Sequence, residues 1–264
     1  VNQSFLLRES AEVYHAKSKE YLTSHALAEF RESPLLYHKR QLGLIADEAR
    51  PAFQVGRAAH TLILEGRDAY QRQYAIGGPI NPTTGKPYDS RSKAYQEWAE
   101  RQARPVLTDN QAALVEELAA AVKRHEIASG LLAEGVPEGV ARCDYNGVAC
   151  QVRIDWFNPS RGLIDLKTCD SIRYLEADAR SFGYLYQLAF YRSILALVGG
   201  EKVQVYLVAV EKREPYRCGV WRIEPGVLDI AERDNEAALE RLKYCQANDT
   251  WPTGYEELRI FNRI

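Results

Sequence analysis

The dipeptide Asn146-Gly147 and its flanks constrain this chain more than any other feature. Asn-Gly supplies the two positive-φ residues of a type I′ turn, so VARCDY and VACQVRIDWF are expected to fold back on each other as a hairpin. In a two-residue loop Tyr145 faces Val148, and that register carried down the ladder sets Glu138 opposite Asp155. A second turn, read as residues 158–162, makes Phe157 face Leu163 and therefore Asp155 face Asp165. Directly opposed residues share a sheet face with Cβ atoms about 5 Å apart. Three carboxylates thus form a row. Lys167 joins it by the period-two rule, opposite Arg153.

Such a row is costly by itself. Two carboxylates at that separation repel by about 3 kcal/mol at an effective dielectric of roughly 20. A divalent cation reverses the sign, because a hard ion such as Mg2+ is held by one or two carboxylates together with substrate phosphate. The ion lowers the pKa of water and stabilises charge on a phosphoryl oxygen, and a neighbouring lysine can orient that water or neutralise the transition state. The plain alternative is a solvated hairpin face on which Arg153 and Lys167 balance the acids. Against it stands the apolar segment GYLYQLAFYRSILALV, which follows LIDLKT and is expected to cover a face of the sheet.

Gln187 and Tyr191 lie in that segment at i, i+4 and so share a helix face. A buried glutamine needs hydrogen-bond partners. The pair is therefore either satisfied inside the core or aimed at the carboxylate row, where it would hold a phosphate or order Lys167. His60, in GRAAHTLIL, likewise reads as a packing residue or a ligand. Gly56, Ala58 and Ala59 around it permit close approach of another element.

Upstream the pattern is helical. Ser24 is the expected N-cap of SHALAEFRES, Pro34 opens a second helix, and PAFQVGRAAHTLILEG starts at Pro51 and stops at Gly66. GGPINPTTGKPYDSRSK is a loop, and its Gly85-Lys86 lacks the preceding strand and following Ser/Thr of a phosphate-binding loop. A helix over 93–103 follows, then one capped at Thr108 by the TDNQ capping box, with Leu114, Leu118 and Val122 as its apolar stripe. Beyond the hairpin, LIDLKT, EKVQVYLVAV and YRCGVWRI read as strands, with helices over 182–197 and 227–245 and then a tail. The order is helices, then β-β-β-α-β-β-α, an α/β chain with a central sheet and helices on its faces. A single domain over 1–264 is expected, with a helical part over about 1–135, an αβ core over about 136–225, and a C-terminal helix and tail over about 226–264.

With 46% hydrophobic and 27% charged residues, the 264-residue chain can bury a substantial core. Its five cysteines include no C-x-x-C pair and are expected to be reduced thiols. A net charge of −2 rules out a cationic coat, so a nucleic-acid partner needs a local basic groove. Arg91, Lys93, Arg101 and Arg104 are candidates for it, or else a solvated helix face. Gln187 and Arg192 interrupt the longest apolar segment and no signal peptide is visible, so a cytoplasmic protein without a membrane partner is expected. The chain has no methionine and starts at Val1, as expected of a piece of a longer protein.

Together these residues resemble the PD-(D/E)xK nuclease superfamily, with Asp165-Leu166-Lys167 matching its D-x-K strand and Asp155 the preceding motif aspartate. More closely they resemble the RecE-like exonucleases (exodeoxyribonuclease VIII, often prophage-encoded). There a G-x-x-x-H helix, two aspartates, a lysine and a Q-x-x-x-Y helix recur in order, here Gly56 to His60, Asp155, Asp165, Lys167, and Gln187 to Tyr191. The resemblance extends to SHALAEFRESPLLYHKR and spans nearly the whole chain. It implies a restriction-endonuclease-like core, a central mixed β-sheet flanked by helices, with a helical N-terminal part.

The same resemblance implies Mg2+ or Mn2+ held by His60, Asp155, Asp165 and the Leu166 carbonyl. It assigns catalysis to Asp155, Asp165, Lys167, Glu138 and His60, with Lys167 helping to activate water, and DNA contact or site support to Gln187, Tyr191 and Arg153. The implied activity is 5′-to-3′ exonuclease digestion of linear duplex DNA, leaving a 3′ strand for recombination by a RecT-type annealing protein, with a homo-oligomeric ring as the assembly. An endonuclease or flap nuclease on the same core, or a DNA-binding protein with a relict site, are the alternatives. Cys245 alone lies near the C-terminal end, unlike relatives with a four-cysteine iron–sulfur cluster, so a cluster is not expected.

Overall fold

The computed structural model describes residues 5–45 and 54–260. Helices α1 (Ala11–Ala16), α2 (Ser24–Glu32) and α3 (Pro34–Gln41) precede α4 (Gln54–His60) and α5 (Arg67–Gln73). Short parallel strands β1 (Ala75–Ile76) and β2 (Val106–Leu107) bracket α6 (Lys93–Glu100). Next come α7 (Asp109–Arg124) and α8 (Glu126–Leu131), then strands β3 (Val136–Tyr145), β4 (Val148–Asn158) and β5 (Gly162–Cys169). Helices α9 (Leu175–Ser181) and α10 (Tyr184–Gly199) lead to β6 (Val205–Glu211), β7 (Cys218–Ile223) and α11 (Pro225–Asn248).

Local chemistry accounts for most of these boundaries. The Thr108 capping box forms with Gln111 and starts α7 where expected. The cap of α2 is instead Thr23, whose hydroxyl accepts the Ala26 amide at 3.2 Å, so the chain enters the helix one residue before the expected Ser24. α6 ends at Glu100, short of 103. The expected start at Pro51 lies outside the described residues. After His60 the helix loosens into a π-turn over Thr61–Glu65, closed by the Gly66 amide on the Thr61 carbonyl. Among the described residues no helix is long and apolar enough to cross a membrane.

The five-stranded sheet runs β3-β4-β5-β6-β7. Only β5 and β6 pair in parallel, which requires the crossover through α9 and α10. The expected mixed sheet with flanking helices is therefore present. Val136, Phe157, Leu163 and Val205 pack under α2, α3, α10 and α11 on one face. Trp156, Ile164, Leu166 and Val208 pack under α4, α5, α7 and α8 on the other. Each fully buried Leu or Phe in these layers contributes roughly 2 kcal/mol of transfer free energy.

The first hairpin has the expected register, Tyr145 opposite Val148 and Gly139 opposite Ile154, around Asn146 and Gly147 with φ of 53° and 79°. The second turn is tighter than expected. Asn158 and Gly162 pair across it, and Asn158 Oδ1 accepts the amides of Ser160 and Arg161 at 3.0 Å each. Gly162 is required here, because its φ is 113° and a Cβ would lie 2.1 Å from the Gln204 carbonyl oxygen.

Phe157 still faces Leu163, but the β4–β5 ladder stops at Trp156–Ile164. The expected pairs Asp155–Asp165 and Arg153–Lys167 do not form, because the two strands part. Two features open this fork. Ile154 and Phe157 both belong to the same core layer while Trp156 belongs to the other, so the two-residue alternation slips at Asp155. Across the hairpin Glu138 has a φ of 53°. Beyond the fork another segment takes the edge of β4: the Leu22 amide donates to Ala149 and the Gln151 amide to Leu22, at 2.8 and 2.9 Å. Leu7 bridges Val140 on the outer edge of β3, so residues 7–22 arch over the hairpin. Both terminal nitrogens of the Arg142 guanidinium lie 2.7 Å from the Glu9 carboxylate and fix the arch.

Candidate active site at the fork of the sheet

Where β4 and β5 separate, a side chain replaces the missing ladder bond: Asp155 Oδ2 accepts the Leu166 amide at 2.7 Å. Asp165, one residue before Leu166 and on the opposite strand face, is 1% exposed. The Lys167 ammonium lies 2.6 Å from its Oδ2, and the two form a buried ion pair. Burial alone would lower the Lys167 pKa, but the charges of Asp165 and Asp155 outweigh it and hold the amine above its ordinary value. Lys167 is therefore an ammonium. It also donates to Gln187 Oε1 at 3.3 Å, and Gln187 Nε2 donates to the Tyr191 hydroxyl at 2.9 Å.

Helix α4 brings His60 to the fork. Ala58 and Ala59 are fully buried, and Gly56 lies so close to β5 that a Cβ would stand 3.1 Å from Thr168 Oγ1. His60 Nδ1 is 3.6 Å from Asp155 Oδ2, and the ring hydrogen-bonds the Leu166 backbone. Burial first, and then the Lys167 charge, push its pKa down to about 4, so the imidazole is neutral at pH 7. Glu138 reaches the same point from β3, 3.1 Å from Arg153. Burial, and then the Asp155 charge, raise its pKa above the carboxylate range. Burial also raises Asp155 and Asp165 against the opposing charge of Lys167.

The ligand-bearing atoms of His60, Glu138 and Asp155 all lie within 4.8 Å of one another. Glu138, expected among the catalytic residues, joins His60 and Asp155 in this cluster, while Asp165 pairs with Lys167 beside it. Two oxygen donors and a neutral imidazole, beside the buried Asp165 carboxylate, fit a divalent cation. His60, Glu138 and Asp155 would hold it, with Asp165 and the Leu166 backbone adjoining.

His60, Glu138, Asp155 and Lys167 line a cleft of about 1340 Å3, with Asp165 buried behind Lys167. Its walls carry Arg8, Arg57 and Arg72, from the arch, α4 and α5, and Lys212, paired with Asp170 at 3.0 Å, beside the acids Glu9, Glu12 and Glu65. Arg104 also lines it, although its guanidinium donates to the carbonyls of Gln71 and Arg72. Arg91 and Lys93 pair instead with Asp89 and Glu97 on the exposed surface. Gln187 and Tyr191 sit behind Lys167; Tyr191 is buried and hydrogen-bonded to Ser24 as well. Two cleft residues were missed in sequence, His25 and Tyr184. Burial, and then the charge of Lys167, lower the pKa of His25. Their only sequence signal was position, just inside a helix N-terminus, and that does not distinguish a cap from a site residue.

The family model described as PDDEXK-like domain of unknown function (DUF3799) matches residues 24–262. The chain belongs to this family. In this PDDEXK-like domain the D-x-K strand is β5, and the fork beside it gathers the preceding aspartate, the helix histidine and Glu138. A solved structure from Eubacterium rectale, named as a candidate exonuclease, covers 98% of this chain and 96% of its own at a TM-score of 0.70 with 16% identity. It shares the fold of this PDDEXK-like domain. A phage-related exonuclease of Haemophilus somnus 129PT is 15% identical over 78% of this chain and 98% of its own, with a TM-score of 0.37. No curated protein matches the chain.

Proposed function

We propose that this PDDEXK-like protein is a divalent-metal-dependent exodeoxyribonuclease that hydrolyses phosphodiester bonds from the ends of linear duplex DNA. The observation that carries this reading is the fork, which places two carboxylates and a neutral imidazole beside the Lys167–Asp165 pair in one cleft whose walls also carry arginines. The arginines of those walls would take the phosphate backbone. When bound, Mg2+ or Mn2+ would lower the pKa of water and draw charge from the phosphoryl oxygens. Lys167 enters as a cation: it stabilises charge that develops on the phosphate and orients a water through its N–H groups. Gln187 and Tyr191 hold the amine in place. His60 offers a lone pair because it is neutral. Digestion from 5′ to 3′, a RecT-type annealing partner and a ring of identical subunits complete the proposal and rest on the sequence resemblance.

The test is digestion of a duplex labelled at either end, beside a closed circle of the same sequence, with Mg2+ and with EDTA. Release of the 5′ label first, from the linear molecule alone and with Mg2+ alone, is expected. Cutting of the circle would make the protein an endonuclease.

A further inference from the structure

The elbow between α9 and α10 is built against the cleft yet takes no part in the carboxylate cluster. The Phe182 amide closes α9 on the Asp178 carbonyl at 2.7 Å, and Gly183 then turns the chain with a φ of 70°. Phe182 is left 68% exposed. A phenylalanine in water forgoes roughly 2 kcal/mol of burial, so its position asks for an occupant.

Its neighbours indicate which one. The Phe182 ring lies 5.9 Å from that of Tyr184, tilted by 37°. Tyr184 lines the cleft, and the Lys167 ammonium sits 5.0 Å from its ring centroid. Two rings in contact therefore lead from the candidate catalytic lysine, through Tyr184 in the cleft wall, to the exposed Phe182 next to it. Tyr174, 57% exposed with the Arg173 guanidinium 5.8 Å away, stands at the opposite end of α9, and exposed Arg180 in the last turn of α9 has no ion-pair partner among the described residues. Exposed rings beside unpaired arginines are what single-stranded nucleic acid binds, the bases stacking and the phosphates meeting cations.

We propose that Phe182, backed by Tyr184, is a stacking platform for an unpaired base at the mouth of the candidate active site. This rests on the nuclease reading and deepens it: the feature recognised next to the scissile phosphate is an unstacked base, so a duplex must open before its strand reaches Asp155. The occupant is a base and not a second protein chain, because the aromatic row leads into the cleft that would hold the phosphodiester.

The test crosses Phe182→Ala and Phe182→Trp with two DNA ends, one intact and one carrying abasic sugars in its first nucleotides. On the intact end Phe182→Ala should slow digestion about 10-fold and Phe182→Trp should restore it, as expected for one stacked base. On the abasic end the wild-type protein and Phe182→Ala should digest at the same rate. Equal slowing on both ends, or none on the intact end, overturns the platform. A second readout needs no hydrolysis: in EDTA, wild-type protein should quench 2-aminopurine at the end of a single strand and Phe182→Ala should not. If the wild-type protein cuts neither DNA, the nuclease reading falls, and the platform stands or falls on this quench alone.

Discussion

Asp155 accepts the Leu166 backbone amide at 2.7 Å across the point where β4 and β5 cease to pair. One carboxylate thus caps an interrupted ladder and forms part of a candidate metal site. The two roles separate by substitution. Asp155→Asn keeps an acceptor for the amide and removes a buried charge, so it should melt no lower than the wild-type protein. Asp155→Ala leaves a buried amide unpaired and should lose about 1–3 kcal/mol. Both should lose DNA hydrolysis by roughly 100-fold or more. Identical melting of the two variants would refute the capping role.

Lys167 is held between Asp165 and Gln187. Lys167→Ala should reduce the turnover rate by roughly 1000-fold, the scale of an electrostatic group lost from a transition state. Gln187→Leu keeps the amine but frees it, so turnover should fall by about 10-fold with KM nearly unchanged. A rise in KM alone would make Gln187 a DNA contact, not a positioning residue.

Gly56 sets the distance between α4 and β5. Gly56→Ala presses only on the Thr168 hydroxyl and should be tolerated. Gly56→Leu should push the helix away and carry His60 off Asp155. Metal-induced stabilisation reads the difference, since a cation that binds only the folded state raises stability by about 2.7 kcal/mol at 100 times its Kd. The rise in Tm with Mn2+ should persist in Gly56→Ala, vanish in Gly56→Leu, and vanish in the wild-type protein on addition of EDTA. The same rise in all variants would place the ion elsewhere.

The Arg142 guanidinium holds Glu9 well below its ordinary pKa of 4.5, at about 2. A depressed carboxylate stabilises the fold above its unfolded pKa and loses that contribution as pH falls through the folded value. The arch should therefore weaken between about pH 4.5 and pH 2. Arg142→Ala should melt lower than the wild-type protein at pH 7, and the two melting curves should converge near pH 2. A gap unchanged by acid would show that Arg142 acts through packing alone.

Much of this arrangement is legible in the chain. Asn146-Gly147 and Asn158 to Gly162 fix two registers because turn geometry and the two-residue period are local properties, and the Thr108 capping box likewise needs only its own four residues. These local rules bring Glu138 opposite Asp155 and set Asp165 and Lys167 on one face of β5. Where the strands part is not local. It depends on Leu22, which comes from far along the chain to take the edge of β4, and on α4, which brings His60 across the opening. The same separation turns Asp155 to the Leu166 amide, leaves Asp165 to Lys167, and puts Glu138 beside His60. By itself the sequence determined which charged groups lie on neighbouring strands, through turn chemistry and alternation. Only the tertiary structure decided which of them meet, because long-range packing sets where a ladder of equivalent hydrogen bonds breaks.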